Sequence, residues 1–157
     1  MSETIPNPFD DFRIEDSVGY LLARSRTMLA KAVDAALAEH NITHAQGSIL
    51  IRLATGKYTT AADFARELYI DAASMTRMID RLEKRGLLAR APNPDDRRQF
   101  KLCLTNEGTM LAEKLPALYT TTLNRCFSGF SAEELGFLKC LLRKLLANAS
   151  LWDEKNN

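Results

Sequence analysis

The side chains with the clearest chemical potential lie close together near the middle of the chain. Hydroxyl groups at Ser74 and Thr76 are followed by guanidinium groups at Arg77 and Arg81. Serine and threonine can hydrogen-bond to base edges or to phosphate, and arginine can hold guanine through two hydrogen bonds. These residue types in this order predict contact with double-stranded DNA.

Two further arginines, Arg97 and Arg98, follow the turn-forming sequence PNPDD. An arginine at the tip of a projecting hairpin can enter the minor groove of DNA, where negative potential is concentrated. Asp96 stands two residues before Arg98 and can hold that side chain in position. The alternative for both arginine-bearing segments is an ordinary solvated surface, with a charged helix face and weak ion pairs at a turn.

The elements that would position these residues can be predicted from the spacing of apolar and capping residues. Residues 72–85 carry an apolar stripe at helical spacing, Met75, Met78, Ile79 and Leu82, and Gly86 ends the helix. The free N–H groups at the start of this helix are expected to attract phosphate. A shorter helix over 61–68 and a tight turn precede it, which makes a helix-turn-helix. Alternating apolar residues over 87–91 and 100–104 then predict two strands of a hairpin.

Long helices are predicted on either side of this region. The chain is expected to begin with a flexible arm over residues 1–16, followed by a helix from Ser17 to His40. Capping-box residues start further helices at Thr43 and Ser131, and a helix also begins at Thr105. The fold class is therefore mainly α with a small β-hairpin wing (α+β). The predicted domains are a winged helix-turn-helix DNA-binding domain over 43–104 and a helical dimerisation region over 17–42 and 105–149.

The first helix and the last two are more apolar than one small lobe can bury. Leucines crowd the last helix, and we expect them to be covered in a homodimer. A two-fold dimer can present two recognition helices to half-sites about 34–36 Å apart on a pseudo-palindrome. The alternative is a monomer with a large helical core.

Two blocks of sequence resemble the MarR (multiple antibiotic resistance regulator) family of transcription regulators. They are AASMTRMIDRLEKRGLL over 72–88 and DDRRQFKLCLTNEG over 95–108. The family pattern is a helix ending in RLEKRGL, a wing with D-x-R, and then LT and a glycine at the next helix. The resemblance implies a triangular homodimer with interlocked first and last helices. It also implies that Ser74, Thr76 and Arg77 contact bases or phosphates in the major groove, and that Arg98 is the wing arginine.

The resemblance further implies a ligand site. This family tends to bind small anionic aromatic or phenolic effectors where the DNA-binding and dimerisation lobes meet. Tyr20, Arg24 and His44 are candidate lining residues, since arginine pairs with a carboxylate while tyrosine and histidine stack or hydrogen-bond. Arg24 could equally be a surface or intersubunit ion-pair residue.

Composition and motifs exclude several other functions. The net charge is +1, but residues 71–101 carry eight basic against five acidic side chains, a local excess that suits phosphate contact.

Cys103, Cys126 and Cys140 fit neither a disulfide framework nor a metal motif. They are expected to be apolar fillers rather than a redox switch, since relatives that sense oxidants use a cysteine in the first helix and this chain has none there. His40 and His44 lack partners for a metal site.

The sequence also predicts what kind of protein this is not. No nucleophile elbow, phosphate-binding loop or other catalytic motif occurs, so we expect neither an enzyme nor a cofactor. No signal peptide and no run of roughly 20 apolar residues is present, which predicts a cytoplasmic protein without a membrane partner. The remaining alternatives to a ligand-responsive repressor are a redox-responsive regulator and a winged-helix module that docks other proteins.

Overall fold

The computed structural model describes residues 13–94 and 100–156, with side chains as far as Asn148. A short 3₁₀ helix, Ile14–Asp16, falls inside the predicted arm. Six helices and two strands follow: α1 (Val18–Leu37, extended by a 3₁₀ turn, Ala38–His40), α2 (His44–Ala54), α3 (Ala61–Glu67), α4 (Ala72–Lys84), β1 (Leu88–Pro92), β2 (Phe100–Leu104), α5 (Asn106–Cys126) and α6 (Ala132–Asn156). The predicted mainly helical fold with a hairpin wing is confirmed, although α6 continues past the expected end near Asn148.

The helix starts follow the capping residues in the sequence. The Thr43 side chain accepts a hydrogen bond from the backbone N–H of Gln46, and the Gln46 side chain accepts one from the N–H of Thr43. Ser131 and Glu134 form the same reciprocal pair before α6. Each pair satisfies two donors that a helix start leaves free. Asn41, with φ 52°, ends the helical run that began at α1.

One hydrophobic core joins the helix-turn-helix to the base of the wing. The predicted stripe of α4 is buried at Met75, Ile79 and Leu82, while Met78 is half-buried. Helix α1 contributes only Val33 and Leu37 to this core. The other fully buried large side chains come from the neighbouring elements: Ile49, Leu50, Phe64, Leu88 and Leu115. The core therefore fixes the orientation of α4, with its basic side chains on the outer face.

The wing is a two-stranded antiparallel sheet. Leu88 lies opposite Leu104, and Pro92 lies opposite Phe100. The backbone N–H of Leu102 donates a 2.7 Å hydrogen bond to the carbonyl of Thr59, just before α3. This bond attaches the second strand to the helix-turn-helix.

The chain divides into two compact units, residues 1–123 and 124–157. In the first unit, α1 leaves large apolar side chains exposed at Val18, Leu21 and Met28. In the second, the described part of α6 exposes Phe137, Leu141, Leu145 and Leu146. The division into DNA-binding and dimerisation regions at residues 42/43 and 104/105 stays a prediction.

Candidate nucleic-acid interface

The outer face of α4 carries the residues predicted to touch DNA. Thr76, Arg77 and Arg81 are exposed, and Ser74 is half-buried. The Arg77 Nη2 atom donates a 2.8 Å hydrogen bond to Ser74 Oγ, one helical turn earlier. The Thr76 hydroxyl donates to the Ala72 carbonyl at 2.9 Å, which leaves its methyl group free to face outward. The structure thus brings Ser74, Thr76 and Arg77 together at the N-terminal end of one helix.

The N-terminus of α4 is closed by an acidic side chain. Asp71 accepts a 2.8 Å hydrogen bond from the backbone N–H of Ser74. Hydrogen bonding from the Ser74 N–H, together with the Ser74 side chain, lowers the pKa of Asp71, so the carboxylate is charged at neutral pH. The N–H of Ser74 is therefore not available to phosphate, because a carboxylate already accepts its hydrogen bond. Attraction of phosphate to the other N–H groups of this helix start stays a prediction.

The charge of the outer face is set by an ion-pair cluster at its edge. Arg90 on β1 donates to Asp80 at 2.6 Å and also pairs with Glu83, and its backbone N–H donates to Glu83 at 3.3 Å. The hydrogen bond to Asp80, with the nearby charge of Glu83, raises the pKa of Arg90. Both acids of α4 thus pair with one arginine of the wing strand, while Arg77, Arg81 and Lys84 form no ion pair with any described residue.

A second contact holds the wing to the end of α4. The Thr105 hydroxyl donates to the Gly86 carbonyl and accepts a 3.0 Å hydrogen bond from the Gly108 N–H. A Cβ atom built on Gly108 would lie 1.8 Å from the Leu87 carbonyl oxygen. Only glycine allows this approach. The LT-x-x-G pattern in the sequence is therefore the joint between the wing, α4 and α5.

Arg85 connects the recognition region to α1, a contact that sequence reasoning did not find. Its Nη1 and Nη2 atoms donate to the carbonyls of Asn41 and His40, at 2.5 and 2.9 Å. These carbonyls lie where the α1 helical run ends, at which carbonyl groups lack helical partners. A basic residue in the last turn of α4 was the available signal, but its partner lies over forty residues away.

The predicted wing-tip residues Asp96, Arg97 and Arg98 lie outside the described residues. Their roles in orienting the wing and in entering the minor groove stay predictions. Strand β1 ends at Pro92 and β2 begins at Phe100, and this pair is at the opposite end of the hairpin from Leu88 and Leu104.

Comparison with known proteins identifies the architecture. The MarR family profile matches residues 42–100. The organic hydroperoxide resistance transcriptional regulator of Bacillus subtilis is 32% identical over 140 residues, which cover 89% of this chain and 94% of the relative. The chain belongs to the MarR family. Its relatives are transcription regulators rather than enzymes.

Solved MarR-family structures share the fold of most of this chain. A cysteine-to-serine mutant of Escherichia coli MarR, complexed with operator DNA, is 26% identical and has a TM-score of 0.77; the match covers 90% of this chain and 99% of that one. Bordetella bronchiseptica BpsR, whose DNA binding is regulated by 6-hydroxynicotinic acid, is 28% identical with a TM-score of 0.77, covering 85% of this chain and 96% of that one.

The candidate effector residues of this MarR-family chain do not all converge. Tyr20 and Arg24 lie on one open face of α1, together with Thr27, Met28 and Lys31. His44 lies elsewhere, because its backbone N–H donates to Asp34 at 2.6 Å and its Nδ1 lies 3.2 Å from the same carboxylate. Tyr20 and Asp34 are fourteen residues apart on α1, which corresponds to about 21 Å along the helix.

The three cysteines are free thiols. Cys103 and Cys140 are exposed and Cys126 is half-buried, so the first two do not fill the core of the protomer, contrary to the expectation. Cys103 is exposed because β2 alternates, with Leu102 facing the core. Among the described residues no group of histidine, cysteine and acidic side chains could hold a metal ion. No helix in the described part of the chain has the length and apolar character to cross a membrane.

Proposed function

We propose that this protein is a homodimeric repressor that binds a short pseudo-palindromic operator and is released by a small ligand. The observation that carries the proposal is the outer face of α4, where Ser74, Thr76 and Arg77 form one cluster and Arg81 remains free of ion pairs. Such a face suits the major groove, since it combines small groups for close approach with arginine for guanine.

Each predicted contact has a distinct role in this proposal. Arg77 and Thr76 read base edges, with Ser74 orienting Arg77 through their hydrogen bond. Arg81, one turn further along the helix, contacts phosphate and provides affinity without sequence information. Arg98 enters the minor groove beside Arg97, and Asp96 orients it.

The homodimer is supported by the apolar surfaces of the two terminal helices. Val18 on α1 is 71% exposed and Phe137 on α6 is 73% exposed, and each has other exposed apolar side chains on the same helix. Contiguous apolar surface of this kind is typical of protein interfaces. A two-fold pair of α4 helices would explain recognition of a pseudo-palindrome.

The chemistry of two neighbouring side chains on one face of α1 supports the ligand part of the proposal. Arg24 can pair with a carboxylate or phenolate, and Tyr20 offers a ring face to an aromatic ligand. The regulation of BpsR by 6-hydroxynicotinic acid is an example of such an effector in a relative. A ligand that binds better to a dimer whose recognition helices are wrongly spaced for DNA would shift the population away from the DNA-binding form. His44 is not part of this proposed site.

As part of this proposal, the protein has no enzymatic activity and needs no cofactor. It works in the cytoplasm, where bacterial DNA lies, and its partners are double-stranded DNA, a second copy of itself and a small anionic aromatic or phenolic effector.

The experiment that tests the proposal is selection of bound fragments from the source genome. Wild-type protein, an Arg77→Ala/Arg98→Ala variant and an Arg13→Ala control would be compared at moderate salt. Arg13 is a matched exposed arginine outside the helix-turn-helix, 81% exposed. We expect the wild type and the control to enrich one pseudo-palindrome and the double variant to lose it. A folded dimer that enriches nothing would instead favour the docking module.

A further inference from the structure

The turn between α3 and α4 contains a tyrosine in an unfavourable backbone conformation. Tyr69 has φ 51°, in the left-handed region. The N–H of Ile70 donates to the Ala65 carbonyl at 3.0 Å, and the N–H of Tyr69 donates to the Arg66 carbonyl at 3.4 Å. These bonds form the Schellman motif that ends α3, in which the left-handed position is usually glycine, or sometimes asparagine. The other described residues with positive φ are glycines and Asn41.

Burial does not compensate this strain. The Tyr69 side chain is 82% exposed, the highest value among the large hydrophobic residues that the structure leaves exposed. Its neighbours Leu68 and Ile70 pack against the core, so the turn would keep its place without the tyrosine ring. A side chain that strains its own backbone and remains in solvent is more readily explained by function than by stability, since strained residues concentrate at binding sites.

The position of Tyr69 indicates what it could bind. It lies two residues before Asp71, the N-cap of α4. In a helix-turn-helix the second helix enters the major groove while the first crosses the phosphate backbone, so the turn between them lies at the groove edge. The N–H groups of Tyr69 and Ile70 are already used within the turn, and the Asp71 carboxylate repels phosphate. The phenolic hydroxyl, on a side chain that is 82% exposed, is a donor of this turn that can be offered to DNA.

We propose that Tyr69 is a DNA-contacting residue whose phenolic hydroxyl donates a hydrogen bond to a phosphate oxygen at the edge of the major groove. This inference rests on the proposed function, and it adds a contact that neither the basic face of α4 nor the wing supplies. Because tyrosine is neutral, the contact releases no counterion, and because phosphate carries no base identity, it adds affinity without sequence preference.

The test compares Tyr69→Phe and Tyr69→Gly with wild type, using the selected pseudo-palindrome and a scrambled duplex. Dissociation constants would be measured at several salt concentrations, beside the thermal midpoint of each protein. A hydrogen bond to a charged group is worth about tenfold in affinity per protomer, so both variants should bind each duplex about a hundredfold more weakly as dimers. The salt dependence should stay that of wild type. Tyr69→Gly should also unfold about 2–4 °C higher, because its strain is relieved.

Arg81→Ala and Arg77→Ala serve as controls. Arg81→Ala should reduce the slope of log K against log salt, which the Tyr69 variants should not. Wild-type affinity in Tyr69→Phe would overturn the proposal. If Tyr69→Gly then bound more weakly, the loss would be due to the aromatic ring or to the backbone rather than to the hydroxyl. If Arg77→Ala abolishes preference for the pseudo-palindrome while Tyr69→Phe binds normally, only the Tyr69 contact fails. A wild-type protein that binds neither duplex would overturn both proposals.

Discussion

Replacing Gly108 with alanine would place a methyl group inside the joint between the wing and α5. An ideal Cβ at this position lies 1.8 Å from the Leu87 carbonyl oxygen and 2.8 Å from the Leu87 carbonyl carbon, where ordinary contacts begin at 3.4 Å. The oxygen would therefore have to move by about 1.6 Å. Both atoms belong to the backbone, so no side-chain rotation can relieve the overlap.

The size of the effect follows from what must move. Leu87 and Leu88 are 6% and 1% exposed, so displacing their backbone disturbs the core. Forced overpacking of this kind costs about 1–3 kcal/mol, and the value here belongs at or above the upper end. Alanine returns up to about 1 kcal/mol through its better helix propensity. The net loss of about 2–3 kcal/mol corresponds to a thermal midpoint lowered by about 4–12 °C for a chain of this size.

The assay is thermal and urea denaturation of wild type, Gly108→Ala and Gly19→Ala. Gly19 is also helical, and a Cβ there would meet nothing within 4 Å in the protomer, so this control should be neutral or slightly stabilising. Wild-type stability in Gly108→Ala would refute the close approach at Leu87 and the account of the LT-x-x-G pattern based on it.

Three further changes test other contacts. Arg90→Gln should lower stability by about 1–2 kcal/mol, a modest loss because partly exposed ion pairs are screened. It should also weaken DNA binding, because two acids on α4 lose their partner, and unchanged urea and binding titrations would contradict this. Gly47→Ala should destabilise the fold, because its Cβ would lie 2.7 Å from the Tyr119 hydroxyl. Adding Tyr119→Phe should recover part of that loss of stability in a double-mutant cycle, and strictly additive effects would count against the contact. The pKa of Asp71 lies below its ordinary 3.8, so its carboxylate stabilises the fold above about pH 4 and loses this contribution as the pH falls through the lowered folded-state pKa. The urea midpoint of Asp71→Asn should therefore fall less steeply below pH 4 than that of wild type, and equal slopes of urea midpoint against pH would refute the linkage.

Much of the fold could be predicted because local sequence determines it. The capping box at Thr43 needs only residues three apart, and the buried stripe on α4 needs only the helical period. The alternation of apolar and other residues also predicts the hairpin. Phe100 is nevertheless 60% exposed, although it belongs to the same alternating set as Leu102 and Leu104. Phe100 lies opposite Pro92, at the end of the wing that extends past the core.

The contacts that hold the site in place were less accessible to sequence reasoning. The count of eight basic side chains over residues 71–101 includes Arg90, but Arg90 pairs with two acids of α4, because the wing folds back beside that helix. His44 was grouped with Tyr20 because both were expected near the junction, whereas Asp34 binds His44 far along α1. Such pairings depend on how elements pack in three dimensions, and neither residue spacing nor composition records that packing.

If the outer face of α4 reads DNA sequence, the ratio of two dissociation constants depends on Arg77. The dissociation constant on a scrambled duplex, divided by that on the selected pseudo-palindrome, would be measured for wild type, Arg77→Ala and Arg81→Ala at a fixed salt concentration. We predict a wild-type ratio of about a thousand or more. Arg77→Ala should reduce this ratio at least tenfold, whereas Arg81→Ala should weaken binding to both duplexes and leave the ratio unchanged. A wild-type ratio near one, or an undiminished ratio in Arg77→Ala, would show that this face of α4 does not read DNA sequence.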